Sequence, residues 1–250
     1  MSKIMRGAEP KNYVGNSVGV LVLHGFSGTP QSVRPLAEDL AARGYTVSMP
    51  LLKGHGRTPE EMEQSSYQEW IKSCVNGLNW LKEHTRNQYV FGLSMGGTLA
   101  LYLAENYQVS GLILLNACYS RLGMFNMYED LHQRGIAFAE NDGSDIKKPG
   151  VKEVAYSKIP VRSGFEFRKL VDIVQLGSSK VDVPVMIFST VQDHVVNFRS
   201  GTDIFTAISS REKYFYTLTE SGHVGLLDFD AETIKRITAE FIADQVSHVG

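Results

Sequence analysis

The chain has 250 residues, of which 43% are hydrophobic and 21% are charged, so it can bury a full core and is not a disordered tail. Its 25 Lys and Arg residues nearly balance its 27 Asp and Glu residues, which argues against nucleic acid or an anionic membrane surface as a partner. Cys74 and Cys118 are the only cysteines, and they form neither a CxxC pair nor a disulfide framework.

Targeting and membrane signals are absent from the sequence. The N-terminus lacks the apolar region of a signal peptide, and the apolar runs are too short to span a bilayer. We therefore expect a cytoplasmic protein with no integral membrane span.

The first part of the chain alternates apolar runs with helical patterns. Residues 18–23 predict a strand that is apolar on both faces, as in the centre of a parallel sheet. Thr29 is the predicted N-cap and Pro30 the first residue of a helix that Gly44 ends. Residues 45–49 predict the next strand, and a loop follows it.

The same alternation continues to the C-terminus. Ser66 and Glu69 form a capping box at the start of a long helix. Later strands and helices are predicted at 89–91, 95–106, 109–116, 184–189, 213–218 and 231–245. Repeated strand–helix units predict an α/β fold, with a mainly parallel central sheet flanked by helices on both faces.

One stretch interrupts this alternation. Residues 119–180 show no clear strand, but they contain helix-like pieces rich in Met and aromatic residues. Because this is too long for a loop, we expect a small inserted cap subdomain there, with 1–118 and 181–250 forming the core.

Ser94 lies in a G-x-S-x-G pattern, Gly92-Leu93-Ser94-Met95-Gly96. A predicted strand precedes the pattern and an amphipathic helix follows it. In that context the glycines allow a sharp turn that exposes the serine hydroxyl at the edge of the sheet. The sequence therefore predicts Ser94 as a nucleophile, rather than a purely structural strand-to-helix turn.

A catalytic serine needs a histidine base and an acid, which follow it in that fold in the order nucleophile, acid, histidine. His223 comes after the last predicted strand and is the predicted base. Asp193 ends the preceding strand and is the predicted acid. Asp228 competes for the acid role but lies too close to His223 to turn back, and helix capping is its alternative role. The other histidines fit the base role less well: His24, His55, His84, His132, His194 and His248.

The transition state of acyl transfer also needs donors for an oxyanion. We predict the backbone N–H groups of Met95, at the start of its helix, and of Phe26, in the loop after the first buried strand. His24 is expected to brace that loop, and His55 to bond locally in a turn. No metal-ligand spacing and no dinucleotide fingerprint is present, so no metal or cofactor is expected.

These residues lie in stretches that resemble the α/β-hydrolase family, and within it the bacterial monoacylglycerol lipases and related small bacterial carboxylesterases. The resemblance covers nearly the whole chain. It is carried by HGFSGTP at 24–30, RPLAEDLAARGYTV at 34–47, LKGHG at 52–56, GLSMGGTLALYLAE at 92–105, GSDIKKPGVKEVAY at 143–156, DHVV at 193–196 and SGHV at 221–224. The stretch at 143–156 is closer to the monoacylglycerol lipases than to the general carboxylesterases.

The resemblance implies the same catalytic set, Ser94, Asp193 and His223, with Phe26 and Met95 as oxyanion donors. It further implies that Glu153 in the cap recognises a glycerol head group and that Asn116 lies near that head-group site.

The expected function is hydrolysis of monoacylglycerols by a serine esterase, with a small-molecule acyl ester as substrate. A broad carboxylesterase is the nearest alternative, and a non-catalytic ligand-binding protein on the same fold is a more distant one. An apolar cap face could dock on lipid or on a second copy of the chain, so a homodimer through the cap is also expected.

Overall fold

The computed structural model describes residues 2–120, 123–141 and 143–247, which contain nine strands and eight α-helices. The strands are β1 (Lys11–Tyr13), β2 (Val18–Leu23), β3 (Thr46–Met49), β4 (Asn87–Leu93), β5 (Gly111–Leu115), β6 (Phe138–Glu140), β7 (Lys158–Pro160), β8 (Val185–Thr190) and β9 (Lys213–Leu218). The helices are α1 (Arg34–Ala42), α2 (Pro59–Glu63), α3 (Tyr67–His84), α4 (Met95–Asn106), α5 (Gly123–Gln133), α6 (Val161–Gly177), α7 (Arg199–Ala207) and α8 (Ala231–Ser247). The outermost ends of the predicted core, including His248, lie outside the described residues.

A seven-stranded sheet, in the order β1-β3-β2-β4-β5-β8-β9, forms the centre of the described molecule. Six strands of this sheet run parallel, namely β3, β2, β4, β5, β8 and β9. The seventh, β1, pairs antiparallel with β3 at one edge. Because the strands are parallel, their carboxyl ends meet at one edge of the sheet. The loops after Leu23, Leu93, Leu115, Thr190 and Leu218 therefore converge there.

Both faces of the sheet are covered at its centre, which explains why the central strands β2 and β5 carry no polar alternation. In β2, Leu21 and Leu23 contribute to one apolar cluster, which also holds residues of α3, α4 and α6. Val20 and Val22 point to the other face and pack in a cluster with residues of α1 and α8. The long helix predicted from the capping box is α3, which starts at Tyr67. The capping contact is present, since the Ser66 N–H donates to Glu69 Oε2 over 3.1 Å.

The chain between β5 and β8 crosses the carboxyl edge of the sheet and contains α5, β6, β7 and α6. The prediction that 119–180 holds no strand is wrong, because β6 and β7 form a two-stranded antiparallel ribbon. The strands are three residues each and flank a long connection, so neither shows a recognisable period in the sequence.

The start of the first predicted helix is also corrected. Pro30 begins a short 3₁₀ turn that ends at Ser32, and α1 starts only at Arg34. The Thr29 hydroxyl is buried and has no hydrogen-bond partner among the described residues, so it does not cap a helix through its side chain. The predicted end is confirmed, since Gly44 follows α1 with a φ of 89°.

Candidate active site

Ser94 lies at the tight junction between β4 and α4, in a strained backbone conformation with φ 55° and ψ −121°. The junction is so compact that a Cβ atom on Gly92 would lie 2.2 Å from the Gly96 carbonyl oxygen, and one on Gly96 would lie 2.4 Å from the Leu23 carbonyl oxygen. Glycine is therefore required at both positions, and the sharp turn that they allow presents the Ser94 side chain at the carboxyl edge.

His223 and Asp193 form a buried pair beside this turn. The distance between His223 Nδ1 and Asp193 Oδ2 is 2.7 Å, and the two side chains are 9% and 1% exposed. The other carboxylate oxygen, Asp193 Oδ1, accepts the N–H groups of Val195 and Val196, each over 2.8 Å. These contacts fix the carboxylate, which in turn holds His223 Nδ1 as the protonated nitrogen and leaves Nε2 free to accept a proton.

Neighbouring carboxylates raise the pKa of the His223 imidazole. Burial by itself lowers the pKa of this imidazole, but the charge and hydrogen bond of Asp193, followed by the charges of Glu153 and Asp145, outweigh burial and leave the pKa raised. A carboxylate that stabilises the imidazolium is the arrangement that a general base needs in acyl transfer.

Ser94 and His223 line one cavity of about 160 Å³. One wall of this cavity is apolar: the Phe26 ring stacks on Phe167 with 5.1 Å between ring centroids, and Tyr128 lies edge-on to Phe26 at 6.4 Å. Met124 adds a flexible side chain to the same wall. Such a wall suits an alkyl chain, which gains about 0.8 kcal/mol for each buried CH₂ group.

Phe26 lines the cavity and Met95 directly follows Ser94, and neither backbone N–H donates to an acceptor among the described residues. Met95 is the first residue of α4, where the N–H has no intrahelical acceptor. His24 braces the Phe26 loop as expected. Its Nε2 accepts the N–H of Leu52 over 3.2 Å, and its Nδ1 lies 3.0 Å from the carbonyl oxygen of Gly25. Burial lowers the pKa of His24 to about 3, so this imidazole is neutral.

Glu153 lies at the polar end of the cavity. Its Oε2 accepts the hydroxyl of Ser144 over 2.9 Å, and its Oε1 lies where a Cβ on Gly28 would be only 2.5 Å away. Burial raises the pKa of Glu153 above the ordinary value for a carboxyl, although the hydroxyls of Ser144 and Ser32 and the charge of His223 oppose the shift. The structure thus brings Glu153 into the same cavity as Ser94 and His223.

Asn116 is not among the residues that line this cavity, and its role near the head group stays a prediction. Its side-chain nitrogen donates to Thr190 Oγ1 over 3.0 Å and to the His223 carbonyl oxygen over 2.8 Å. Its side-chain oxygen accepts the N–H of Thr190 over 2.9 Å. With these bonds made inside the protein, Asn116 ties the end of β8 to the backbone of His223.

Asp228 also has a different role from helix capping. Its carboxylate accepts the N–H groups of Gly222 and Lys147, each over 2.8 Å, and of Lys148 over 3.0 Å. It therefore joins the loop before His223 to the segment between β5 and β8.

The remaining histidines and cysteines that the structure describes take no part in the cavity. His55 bonds locally to the Lys53 carbonyl oxygen, as expected, and burial lowers its pKa to about 4. Cys74 and Cys118 are free and buried, and burial raises the pKa of each thiol.

Sequence reasoning gave no separate role to Ser144 and Asp145, which both line the cavity. They fall inside the stretch at 143–156 that carries the resemblance, and this stretch was the available signal. The partners of Asp145, His194 and His223, are far away in the sequence, so spacing along the chain could not reveal those contacts.

Comparison with known proteins agrees with the fold. The family model for serine aminopeptidase, S33, matches residues 17–230. A thermostable monoacylglycerol lipase from Bacillus sp. (strain H-257) is 40% identical over 245 residues, which is 96% of each chain. A carboxylesterase of Bacillus subtilis (strain 168) is 26% identical over 235 residues, covering 94% of this chain and 96% of that one.

Among solved structures, one from work on LipS and LipT, two metagenome-derived lipolytic enzymes, superposes with a TM-score of 0.93 and 37% identity, covering 97% of this chain and 100% of that one. The sheet order, the Ser94 turn and the neighbours together define an α/β-hydrolase fold. The chain belongs to the serine aminopeptidase S33 family of hydrolases. Among the described residues, none of the helices is both long and apolar enough to cross a membrane.

Proposed function

We propose that this protein is a serine esterase that hydrolyses monoacylglycerols to fatty acid and glycerol, with Ser94 as nucleophile, His223 as base and Asp193 as acid. The observation that carries the proposal is one cavity that is lined by Ser94, by His223 of the buried His223–Asp193 pair, by an apolar wall and by the polar Glu153. The similarity to a named monoacylglycerol lipase supports the substrate class.

The reaction proceeds through an acyl-enzyme. Ser94 Oγ attacks the ester carbonyl while His223 Nε2 takes the hydroxyl proton, and the N–H groups of Phe26 and Met95 hold the oxyanion. The intermediate collapses, the C–O bond of the ester breaks, and His223 returns the proton to the departing glycerol. A water molecule, deprotonated by His223, then attacks the acyl carbon and releases the fatty acid with Ser94 restored.

Substrate selection follows from the two ends of the cavity. The acyl chain lies against Phe26, Tyr128 and Phe167, and the glycerol hydroxyls bond to Glu153. An acyl chain in place of a glycerol hydroxyl would meet a polar, partly buried carboxyl, which disfavours di- and triacylglycerols.

A general carboxylesterase is the second candidate, supported by the similarity to the carboxylesterase of Bacillus subtilis. It would use the same catalytic residues without reading the glycerol. A non-catalytic ligand-binding protein is a third, and it would not react at Ser94.

The test is a comparison of rates with purified protein and the Ser94→Ala variant. Monoacylglycerol, the matching di- and triacylglycerols, an ethyl ester of the same acid and an aminoacyl anilide are assayed side by side. We expect fast turnover of the monoacylglycerol alone, and a loss of about 10⁴-fold or more in Ser94→Ala. Ser209→Ala, at an exposed position, is the matched control and should keep wild-type rates.

Each other result selects an alternative. Equal or faster turnover of the ethyl ester means a general carboxylesterase, and anilide cleavage means a peptidase. No turnover and no labelling of Ser94 by a fluorophosphonate probe would mean a binding protein.

Three further expectations go with the proposal. Residues 119–180 act as a cap on a core formed by 1–118 and 181–250, a homodimer forms through that cap, and the protein works in the cytoplasm. The cap is supported by the position of Met124, Tyr128, Glu153 and Phe167 in the cavity wall.

A further inference from the structure

The loops that carry Asp193 and His223 are joined by a third piece of chain, the segment 143–148. Asp145 in this segment reaches both loops with one oxygen, since its Oδ2 accepts the N–H of His194 over 2.9 Å and the N–H of His223 over 3.0 Å. Its Oδ1 lies 3.1 Å from His194 Nδ1, and its carbonyl oxygen accepts the N–H of Val224 over 3.2 Å.

The contact is close as well as hydrogen-bonded. A Cβ atom on Gly222 would lie 2.6 Å from the Asp145 carbonyl oxygen and 2.8 Å from Oδ1. The loop before His223 therefore accommodates Asp145 only because residue 222 is glycine. Asp228, which follows His223 in the chain, adds a second link between segment 143–148 and the His223 loop. It accepts the N–H groups of Lys147 and Lys148 from the segment and the N–H of Gly222 from the loop.

We propose that Asp145 is a positioning residue for the catalytic histidine, and that its carboxylate holds the His223 loop and the Asp193–His194 loop in one arrangement. This rests on the proposed function of Ser94, His223 and Asp193. Asp145 acts by accepting the backbone N–H of His223, and this hydrogen bond fixes the backbone position from which the imidazole side chain extends. A displacement of about 1 Å in a reacting group can cost about 10²-fold in rate.

The charge of Asp145 adds a second, separable effect. The charged groups that face His223 are Asp193, Glu153 and Asp145, and each of them raises the pKa of the imidazole. The other carboxylate oxygen of Asp145, Oδ1, contacts Nδ1 of the exposed His194. Burial works against the charge of Asp145, but the hydrogen bonds from His194 and His223 outweigh it and keep its pKa below the ordinary value, so the carboxylate is ionised at neutral pH.

Two substitutions separate position from charge. Asp145→Asn keeps an oxygen for both N–H groups and removes the negative charge, whereas Asp145→Ala removes the contacts as well. Asp130→Asn and Asp130→Ala are matched controls, because Asp130 is an exposed carboxylate on α5 that pairs only with Arg134 among the described residues. Rates are measured on an ester substrate per fluorophosphonate-titrated site, as a function of pH and well below the unfolding midpoint.

We expect Asp145→Ala to lower kcat by about tenfold or more. Asp145→Asn should restore kcat, but the acid limb of its pH profile should lie at lower pH than in the wild type. The sign follows because the base must be neutral to act, and a lower pKa keeps His223 neutral at more acid pH. Both Asp130 variants should retain the kcat and the pH profile of the wild type.

The proposal is overturned if Asp145→Ala has the wild-type kcat per titrated site and the wild-type acid limb, which is the pattern of a residue that serves stability alone. If Asp145→Ala does not fold, Asp145→Glu decides, because it keeps the charge but moves the carboxylate by one methylene group, and a wild-type kcat per titrated site in that variant overturns the proposal. A wild-type protein that neither labels at Ser94 nor hydrolyses esters contradicts the proposed function instead.

Discussion

Glu153 combines burial with a hydrogen-bonding environment that suits a hydroxyl-bearing ligand. Burial raises its pKa, and a carboxyl group accepts hydrogen bonds from the hydroxyls of a ligand in either protonation state. We expect Glu153→Ala to raise KM for a monoacylglycerol about tenfold, because it removes one hydrogen bond to a buried polar group. The KM for the ethyl ester of the same acid should not change. Michaelis constants for the two esters, measured at one pH, check this.

Glu153→Gln is the conservative partner of that variant, because an amide keeps a donor and an acceptor. It should preserve most of the preference for the monoacylglycerol. Glu140→Ala, an exposed glutamate of the same inserted segment, is the control. A parallel loss on both esters in Glu153→Ala would show that the residue does not read the glycerol.

The residues of the site differ in how far the sequence could predict them. Ser94, Asp193 and His223 could be located because each follows a strand that the sequence makes recognisable, and parallel strands bring such positions to one edge. Asn116 occupies the same kind of position, yet its side chain turns to Thr190 and His223 rather than to the cavity. The direction of a side chain depends on its three-dimensional partners, and the sequence alone does not give those.

Helix α6 packs against α5 through a glycine. A Cβ atom on Gly164 would lie 2.1 Å from Cδ2 of the Tyr128 ring, which is buried and lines the cavity. Gly164→Ala should therefore destabilise the protein by about 1–3 kcal/mol, although alanine favours a helix in general. Denaturant unfolding measures the change. In the Tyr128→Leu background the smaller side chain leaves room, and the added cost of Gly164→Ala should fall. Equal costs in both backgrounds would contradict this packing.

The elements that the sequence missed are short. β1 is a three-residue strand of polar and aromatic residues at the sheet edge, and its pairing with β3 makes it a strand. α2 is a five-residue helix in a stretch predicted as loop, where Thr58 caps it by accepting the N–H of Glu61 over 3.2 Å. The long helix α3 was predictable because it buries a periodic face, whereas α4 is buried almost all round and was recognised from the turn at Ser94 that precedes it.

The stability of the whole molecule should depend on the protonation of Glu105. Burial near the ends of α4 and α6 raises its pKa from 4.5 to about 8, with the charge of Lys180 opposing, and its Oε1 has no hydrogen-bond partner among the described residues. Since the folded form holds this proton more tightly than the unfolded chain, stability should fall as pH rises from about 4.5 to about 8.

Glu105→Gln should remove this dependence and stabilise the protein at pH 8 by an amount on the order of 2 kcal/mol, with little change near pH 5. Denaturant unfolding at the two pH values measures the difference. Glu83→Gln, at an exposed position of α3, should show no such change. A Glu105→Gln protein that gains equally at both pH values would contradict a proton held in the folded state.

Ser27, Ser94 and Asn116 are the non-glycine residues with positive φ among those described, and all three follow strands or loops at the carboxyl edge of the sheet. A side chain in such a conformation costs on the order of 1 kcal/mol or more, which glycine would avoid. Selection for heat resistance alone would favour glycine at these positions. The carboxyl edge therefore stores backbone strain where Ser94 presents its hydroxyl and where Asn116 bonds Thr190 and His223, so stabilising substitutions should be sought at the opposite edge of the sheet.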